Sequence, residues 1–213
     1  TPQASPVADR HLFDVRAIDA NTAAAIGDWG TVLQTRDGGA TWENRSFDRD
    51  VILNGQCWRG AERGWVVGEG GVILSTTDGG RSWVEQESGV YKTLFGVAFT
   101  DDANGWAAGL DGLILRTRDG GATWTAQRGA EEVEAFDAVA VDDAFGNPTL
   151  FDIDVRGRHG VAVGDLGALF VSDDGGESWT RRELDGQAGL QWLRGASLAD
   201  GGNGFFVGGK GLV

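Results

Sequence analysis

Between residues 94 and 127, short apolar stretches alternate with polar breakers every few residues. Leu94-Phe95-Gly96-Val97-Ala98-Phe99 predicts a strand, and Asp101 to Asn104 predicts the turn after it. Gly105-Trp106-Ala107-Ala108-Gly109 predicts a second strand, apolar throughout and therefore buried on both faces. Leu110-Asp111, flanked by glycines, predicts a two-residue hairpin loop. Leu113-Ile114-Leu115-Arg116-Thr117 is aliphatic and reads as a third strand. An Asp-Gly-Gly turn follows, and Trp124-Thr125-Ala126-Gln127 opens a fourth strand.

This unit recurs. Thr35-Arg36-Asp37-Gly38-Gly39-Ala40-Thr41-Trp42 is repeated as Thr76 to Trp83, Thr117 to Trp124 and Ser172 to Trp179, a box of the form Ser/Thr-x-Asp-Gly-Gly-x-Ser/Thr-Trp. Its aspartates stand 41, 41 and 55 residues apart. A second fingerprint, Gly-x-x-Gly, runs in phase at Gly27–Gly30, Gly68–Gly71, Gly109–Gly112, Gly164–Gly167 and Gly208–Gly211. In the first four copies its second glycine lies seven residues before the box aspartate. A period near forty, with four short strands and a fixed turn signature per copy, predicts an all-β fold: a β-propeller of four-stranded antiparallel blades with Asp-box turns. About five repeats are present, the last incomplete. The expected organisation is one propeller domain over 1–213, with blades near 12–49, 50–90, 91–128 and 149–186, a partial blade at 191–213 and an insertion at 129–148. First strands are expected to start near Leu12, Leu53, Leu94, Leu150 and Leu193, with no substantial helix outside 131–145. Because a propeller pairs its last blade with its first, the sequence is expected to be a fragment of a longer propeller, or to draw the missing strands from a partner or from segment 1–10.

The box reads as a structural device. Asp37, Asp78, Asp119 and Asp174 can accept backbone N–H groups of their own turns, as Asx-turn residues do. The paired glycines suit positive φ, the Ser/Thr hydroxyl can bond back across the turn, and Trp42, Trp83, Trp124 and Trp179 are expected to pack into the blades. None of this requires a ligand.

The box resembles that of the bacterial neuraminidase-repeat propellers. The longer strings Gly105-Trp106-Ala107-Ala108-Gly109 through Trp124, and Gly64-Trp65-Val66-Val67-Gly68 through Trp83, resemble the repeat of the photosystem II assembly and stability factor family. The resemblance covers residues 12 to 213. It implies a seven-bladed propeller on the extracytoplasmic or lumenal side of a membrane, assisting or stabilising a photosynthetic reaction-centre complex without catalysis. It also implies docking through an arginine patch. This chain departs from that pattern in its five repeats, in fourteen extra residues before the fourth box, and in its acidity.

Net charge is −14, which disfavours nucleic acid and anionic lipid as partners. No apolar run approaches the length of a membrane span. Cys57 is the single cysteine, so no internal disulfide is possible, and its phase matches Ala98, a small strand position. The opening Thr1-Pro2-Gln3-Ala4-Ser5-Pro6 reads as a mature terminus left by signal removal, or as a fragment end. The expected location is extracytoplasmic, periplasmic or lumenal, with membrane association through a partner.

The Gly-x-x-Gly loops share a face with the inter-blade connections. They carry Asp28-Trp29, Glu69-Gly70, Leu110-Asp111, Asp165-Leu166 and Gly209-Lys210. Asp28, Trp29, Glu69, Asp111 and Asp165 are therefore the candidate partner-binding residues, with the acidic 131–145 expansion beside them. Trp29 is the sharpest of them, because an indole in a tight turn has little to pack on within its own blade. The alternative is that it folds onto a neighbouring blade.

Catalysis is not expected. A sialidase-type site needs three converging arginines and a Tyr–Glu pair, whereas Tyr91 is the single tyrosine and falls in an inter-blade loop. Asp14, Asp152 and Asp154 on first strands are the only candidates for a glycosidase carboxylate pair, and they sit in no motif. His11 and His159 are too few for a zinc site. No cofactor, metal or small-molecule substrate is expected. The partner is expected to be a subunit of a photosynthetic membrane complex. The competing class is a carbohydrate-binding or glycoside-hydrolase-type Asp-box propeller. It would need an aromatic platform across adjacent blades, where the positions matching Trp29 are Gly70, Asp111, Leu166 and Lys210.

Overall fold

The computed structural model describes residues 5–7, 9–129, 147–184 and 191–213. The 131–145 expansion, with the helix allowed there, lies outside the described residues. The chain divides into two compact units, Thr1–Leu94 and Phe95–Val213.

The first unit holds two four-stranded antiparallel sheets. One runs Leu12–Ala17, Ala23–Gly27, Val32–Thr35 and Glu43–Asn44. The other runs Leu53–Arg59, Arg63–Gly68, Ile73–Thr76 and Val84–Gln86. Each is a simple meander in which every strand pairs with its sequence neighbour. Beyond their half-buried first residues, Ala23 and Arg63, the second strands are buried because they carry only small and apolar residues. Ile26, Val32, Leu53, Val66 and Leu74 form the core that joins the two sheets.

In the second unit the meander repeats. Its sheets are Leu94–Phe99, Gly105–Gly109, Ile114–Thr117 and Thr125–Arg128, then Leu150–Arg156, His159–Gly164, Leu169–Ser172 and Thr180–Arg181. A two-stranded sheet, Leu193–Leu198 and Gly204–Gly208, follows. All five first strands begin at the leucines that the repeat phase marks.

Between the third and fourth blades the packing is polar as well as apolar. The Gly176 carbonyl, in the fourth box, accepts three donors from the third blade: Trp106 Nε1 at 2.9 Å, Arg116 Nη1 at 3.0 Å and Gln127 Nε2 at 2.9 Å. Arg116 is 5% exposed and lies over the Trp106 ring, and its Nη2 reaches Glu177 Oε1 at 2.8 Å. The fourth box thus satisfies both terminal nitrogens of this buried guanidinium, while its Nε has no partner.

The hairpin loop between strands two and three is centred one residue later than the glycine spacing suggests. Leu113 N–H donates to Leu110 O, so the central residues are Asp111 and Gly112, both at positive φ (56° and 66°), not Leu110 and Asp111. Two consecutive positive-φ residues define a type I′ turn, whose twist matches that of the strands. The first glycine of the motif has a different duty. A Cβ on Gly27, Gly68 or Gly164 would fall 1.9, 2.2 or 1.9 Å from the carbonyl oxygen of His11, Ile52 or Thr149. These glycines let the chain entering each first strand cross directly over the second.

A bulge near the start also marks the first strands. Register shifts between Leu12 and Asp14, Leu53 and Gly55, Leu150 and Asp152, and Leu193 and Gly195. The extra residue re-aims its side chain, as bulges do. Phe13, Asn54, Phe151 and Arg194 occupy these positions.

Candidate partner-binding site

At one end of each blade lie the Asp boxes, and their polar groups are turned inward on their own turns. Asp37 Oδ1 accepts the Thr41 N–H at 2.9 Å and the Thr35 hydroxyl at 2.8 Å, while Oδ2 accepts the Thr41 hydroxyl at 2.6 Å. The pattern recurs at Asp78 with Ser82 and Thr76, at Asp119 with Thr123 and Thr117, and at Asp174 with Ser178 and Ser172. The second box glycine donates back to the first hydroxyl, as Gly39 does to Thr35 Oγ1 at 2.9 Å. The first box glycine donates to the turn between strands one and two, Gly38 to Asn21 O and Gly120 to Ala103 O. The hydroxyl and then the backbone N–H at the Thr41 and Thr123 positions hold the Asp37 and Asp119 carboxyls down at about 2. The same bonds from Ser82 and Ser178 push Asp78 and Asp174 lower still. These carboxylates stay charged at all physiological pH, and their lone pairs are directed into the turn.

The box tryptophans close the blades. Trp124 is buried edge-to-face on Phe99, with ring centres 5.9 Å apart. Trp83 packs edge-on to Phe47 and Trp58. Trp179 donates from Nε1 to Gln127 Oε1 at 3.0 Å. Trp42 is half-buried and lines an open apolar groove with Leu12, Phe13, Val15 and Leu33.

The opposite end of each blade carries the Gly-x-x-Gly turns, pinned to the incoming chain of the next blade. Gly30 N–H donates to Val51 O, Gly112 to Pro148 O and Gly167 to Gln191 O, each at 2.7 Å. The two variable positions of the motif differ in role. Asp28, at the first, faces back toward the strand entry. Asp28 Oδ1 accepts the His11 N–H at 3.0 Å, and its own N–H donates to His11 O at 3.0 Å. Asp165 N–H donates likewise to Thr149 O, but its Oδ1 is buried without a hydrogen-bond partner. Glu69 shares this first position but is exposed. The second position is the one that projects. Trp29, Gly70, Asp111, Leu166 and Lys210 all stand there at positive φ.

Trp29 shares its backbone conformation with Leu166, at φ 50°, and differs in being a large aromatic left exposed. A bulky side chain at φ 52° is sterically unfavourable, yet its indole is 53% exposed. Strain of this kind persists only where the surroundings over-determine it, and it clusters at functional sites. Trp29, Asp28 and Glu69 line one open cleft of about 610 Å³ together with Arg49, Asp50, Val51, Ile52 and Val72. The Arg10 guanidinium stands 5.2 Å from the Trp29 ring centre. Asp111 and Asp165 belong to the second unit, outside this cleft.

The second unit shows an aromatic feature that the sequence reading missed. Trp192, directly before a first strand, is 56% exposed, and its carbonyl accepts the Gly209 N–H of the last Gly-x-x-Gly turn. Arg194 lies 4.2 Å from the Phe151 ring centre and 5.5 Å from that of Trp192, and Phe95 meets Phe151 edge-on at 5.6 Å. Trp29 is therefore not alone as an exposed aromatic at this end of a blade. The available signal was an apolar residue immediately before or after each first-strand leucine.

The three candidate glycosidase carboxylates are otherwise engaged. Asp152 Oδ2 accepts Ala196 N–H at 2.9 Å, and Asp154 Oδ2 accepts Leu198 N–H at 2.8 Å. Asp14 faces Arg16 at 3.6 Å. Among the described residues, no three His, Cys, Asp or Glu side chains are placed to hold a metal ion. None of the described helices is long and apolar enough to cross a membrane.

Known proteins place this geometry. The sequence profile described as photosynthesis system II assembly factor YCF48 matches residues 3–87 and 82–146, and that of the BNR/Asp-box repeat matches 170–181. No curated protein sequence matches the chain. A YCF48 structure with a bound D1 peptide superposes with a TM-score of 0.51 at 20% identity, over 95% of this chain and 90% of that one. YCF48 from Cyanidioschyzon merolae gives 0.51 at 19% identity, over 95% and 94%. An ancestral GH74 enzyme gives 0.69 at 15% identity, but this chain spans only 28% of it. At these identities the likenesses speak to fold alone, and they agree on an Asp-box β-propeller. With the profile matching well over half of its residues, the chain belongs to the photosystem II assembly factor YCF48 family.

Proposed function

We propose that this protein is a non-catalytic assembly or stability subunit that docks on the extracytoplasmic side of a photosynthetic membrane complex. Family membership and the D1 peptide bound by one YCF48 structure support a photosystem protein as partner. The docking surface we assign is the Gly-x-x-Gly end of the first two blades. The observation that carries it is Trp29: an indole kept out in solvent on a backbone conformation that disfavours it. A glycan reading finds less support, because Asp152 and Asp154 bind backbone N–H groups and present no free carboxylate pair.

Retention in the purified complex tests the assignment. Trp29→Ala removes the exposed ring, and Glu69→Gln removes an exposed charge, without touching a strand. Asp28→Asn is less clean, since it also disturbs the His11 contact. Buried aromatic anchors are worth about 2 kcal/mol or more, which corresponds to a loss of roughly thirty-fold in affinity. Trp29→Ala should therefore strip the protein from the complex, while Glu69→Gln should slow association and reduce its salt sensitivity. Full retention of both folded variants would move the interface elsewhere.

A further inference from the structure

Building on that docking reading, we propose that the cleft beside Trp29 receives an arginine or lysine side chain of the partner protein, and that Arg10, which stands over the Trp29 ring though outside the cleft lining, competes with it for that ring. The cleft combines the three things a cationic side chain needs. Trp29 offers an exposed ring face, the strongest cation–π acceptor among the side chains. Val51, Ile52 and Val72 give apolar wall for the aliphatic stem. Asp28, Asp50 and Glu69 supply negative charge around the head group.

The opposing charge in the lining is already neutralised. Arg49 Nη1 lies 2.7 and 2.8 Å from the two carboxylate oxygens of Glu85, a carboxylate outside the cleft lining. Arg10 shows the pose. Its guanidinium stands over the Trp29 ring at 5.2 Å, and its closest carboxylate, Asp9, is a loose 3.9 Å away. The segment carrying it is fastened one residue later, where Asp28 holds the His11 N–H and its own N–H bonds His11 O. Arg10 can therefore leave the ring without unfastening the strand behind it. An external cation then competes with a tethered one, which weakens its apparent affinity by the fraction of time Arg10 occupies the ring.

The test uses acetyl-Gly-Arg-Gly-Arg-Gly-amide as probe, with the Trp29 indole N–H resonance, identified by its loss in Trp29→Phe, as readout. Addition of the probe should shift that resonance. Arg10→Ala should tighten the apparent affinity several-fold. Asp50→Asn with Glu69→Gln should weaken it several-fold and flatten its salt dependence. The matched glutamate peptide should leave the resonance in place. The proposal is overturned if the glutamate peptide shifts the resonance as strongly, or if Arg10→Ala leaves the affinity unchanged or lower. Complex retention is scored separately: if Trp29→Ala loses the complex while the arginine peptide fails to bind, docking through this face stands and the cationic ligand falls. Arginine-peptide binding with full retention of Trp29→Ala would support the cation site and sink the docking reading.

Discussion

Trp29 sets a conflict between stability and use within a single residue. A non-glycine side chain in the left-handed region costs about 1–2 kcal/mol relative to glycine, because Cβ crowds the following carbonyl. The next repeat resolves the same turn with Gly70 at φ 66°. Trp29→Gly should therefore keep the turn and raise the melting temperature by a few degrees, while weakening attachment to the complex. Thermal melts run beside the retention assay check this, and a variant that melts lower would mean that the ring packs more than its exposure indicates. The box aspartates present the opposite case. Every lone pair that Asp37 or Asp119 directs at a neighbour serves its own turn. Their regular recurrence therefore reflects the geometry of the hairpin.

At the level of the strand and its turns, the repeat phase made much of the fold readable. Fixed offsets between two fingerprints located four first-strand starts and Gly-x-x-Gly alone the fifth, since strand lengths are locked between paired turns. The hairpin centre was misplaced by one residue because glycines flank it symmetrically, and only the hydrogen bond from Leu113 to Leu110 breaks the symmetry. The bulges were not legible. One extra residue inverts the side-chain alternation, so the aim of Phe151 and Arg194 does not follow from the strand pattern. Comparing repeats also exposes a flaw. Gln127 bridges Trp179 Nε1 and the Gly176 carbonyl, but the same position of the first blade is Arg45, which has no acceptor to offer an indole. Trp83 Nε1 and Arg45 Nε are accordingly both buried without a partner. Arg45→Gln should restore the bridge at the cost of the exposed Arg45–Glu43 pair, a net gain of about 1 kcal/mol. A denaturant midpoint at or below that of the parent protein would show that the first blade satisfies Trp83 in another way.

For the molecule as a whole, a charge of −14 favours encounter with a basic surface. Like charges at long range slow encounter with other acidic surfaces and speed it with basic ones. The two ends of the blades are then chemically unlike. One carries boxes whose polar groups satisfy each other, while the other projects a different side chain from each repeat on a common backbone. The central claim is that this second end is the docking face, and site-specific photo-crosslinking tests it most directly. A benzophenone amino acid at Gly70, beside the Trp29 cleft, is compared with one at Arg81 in the second Asp box, both in membranes containing the assembling photosystem. The account predicts a crosslink to a photosystem subunit from position 70 and none from position 81. Crosslinking from position 81 alone would contradict it.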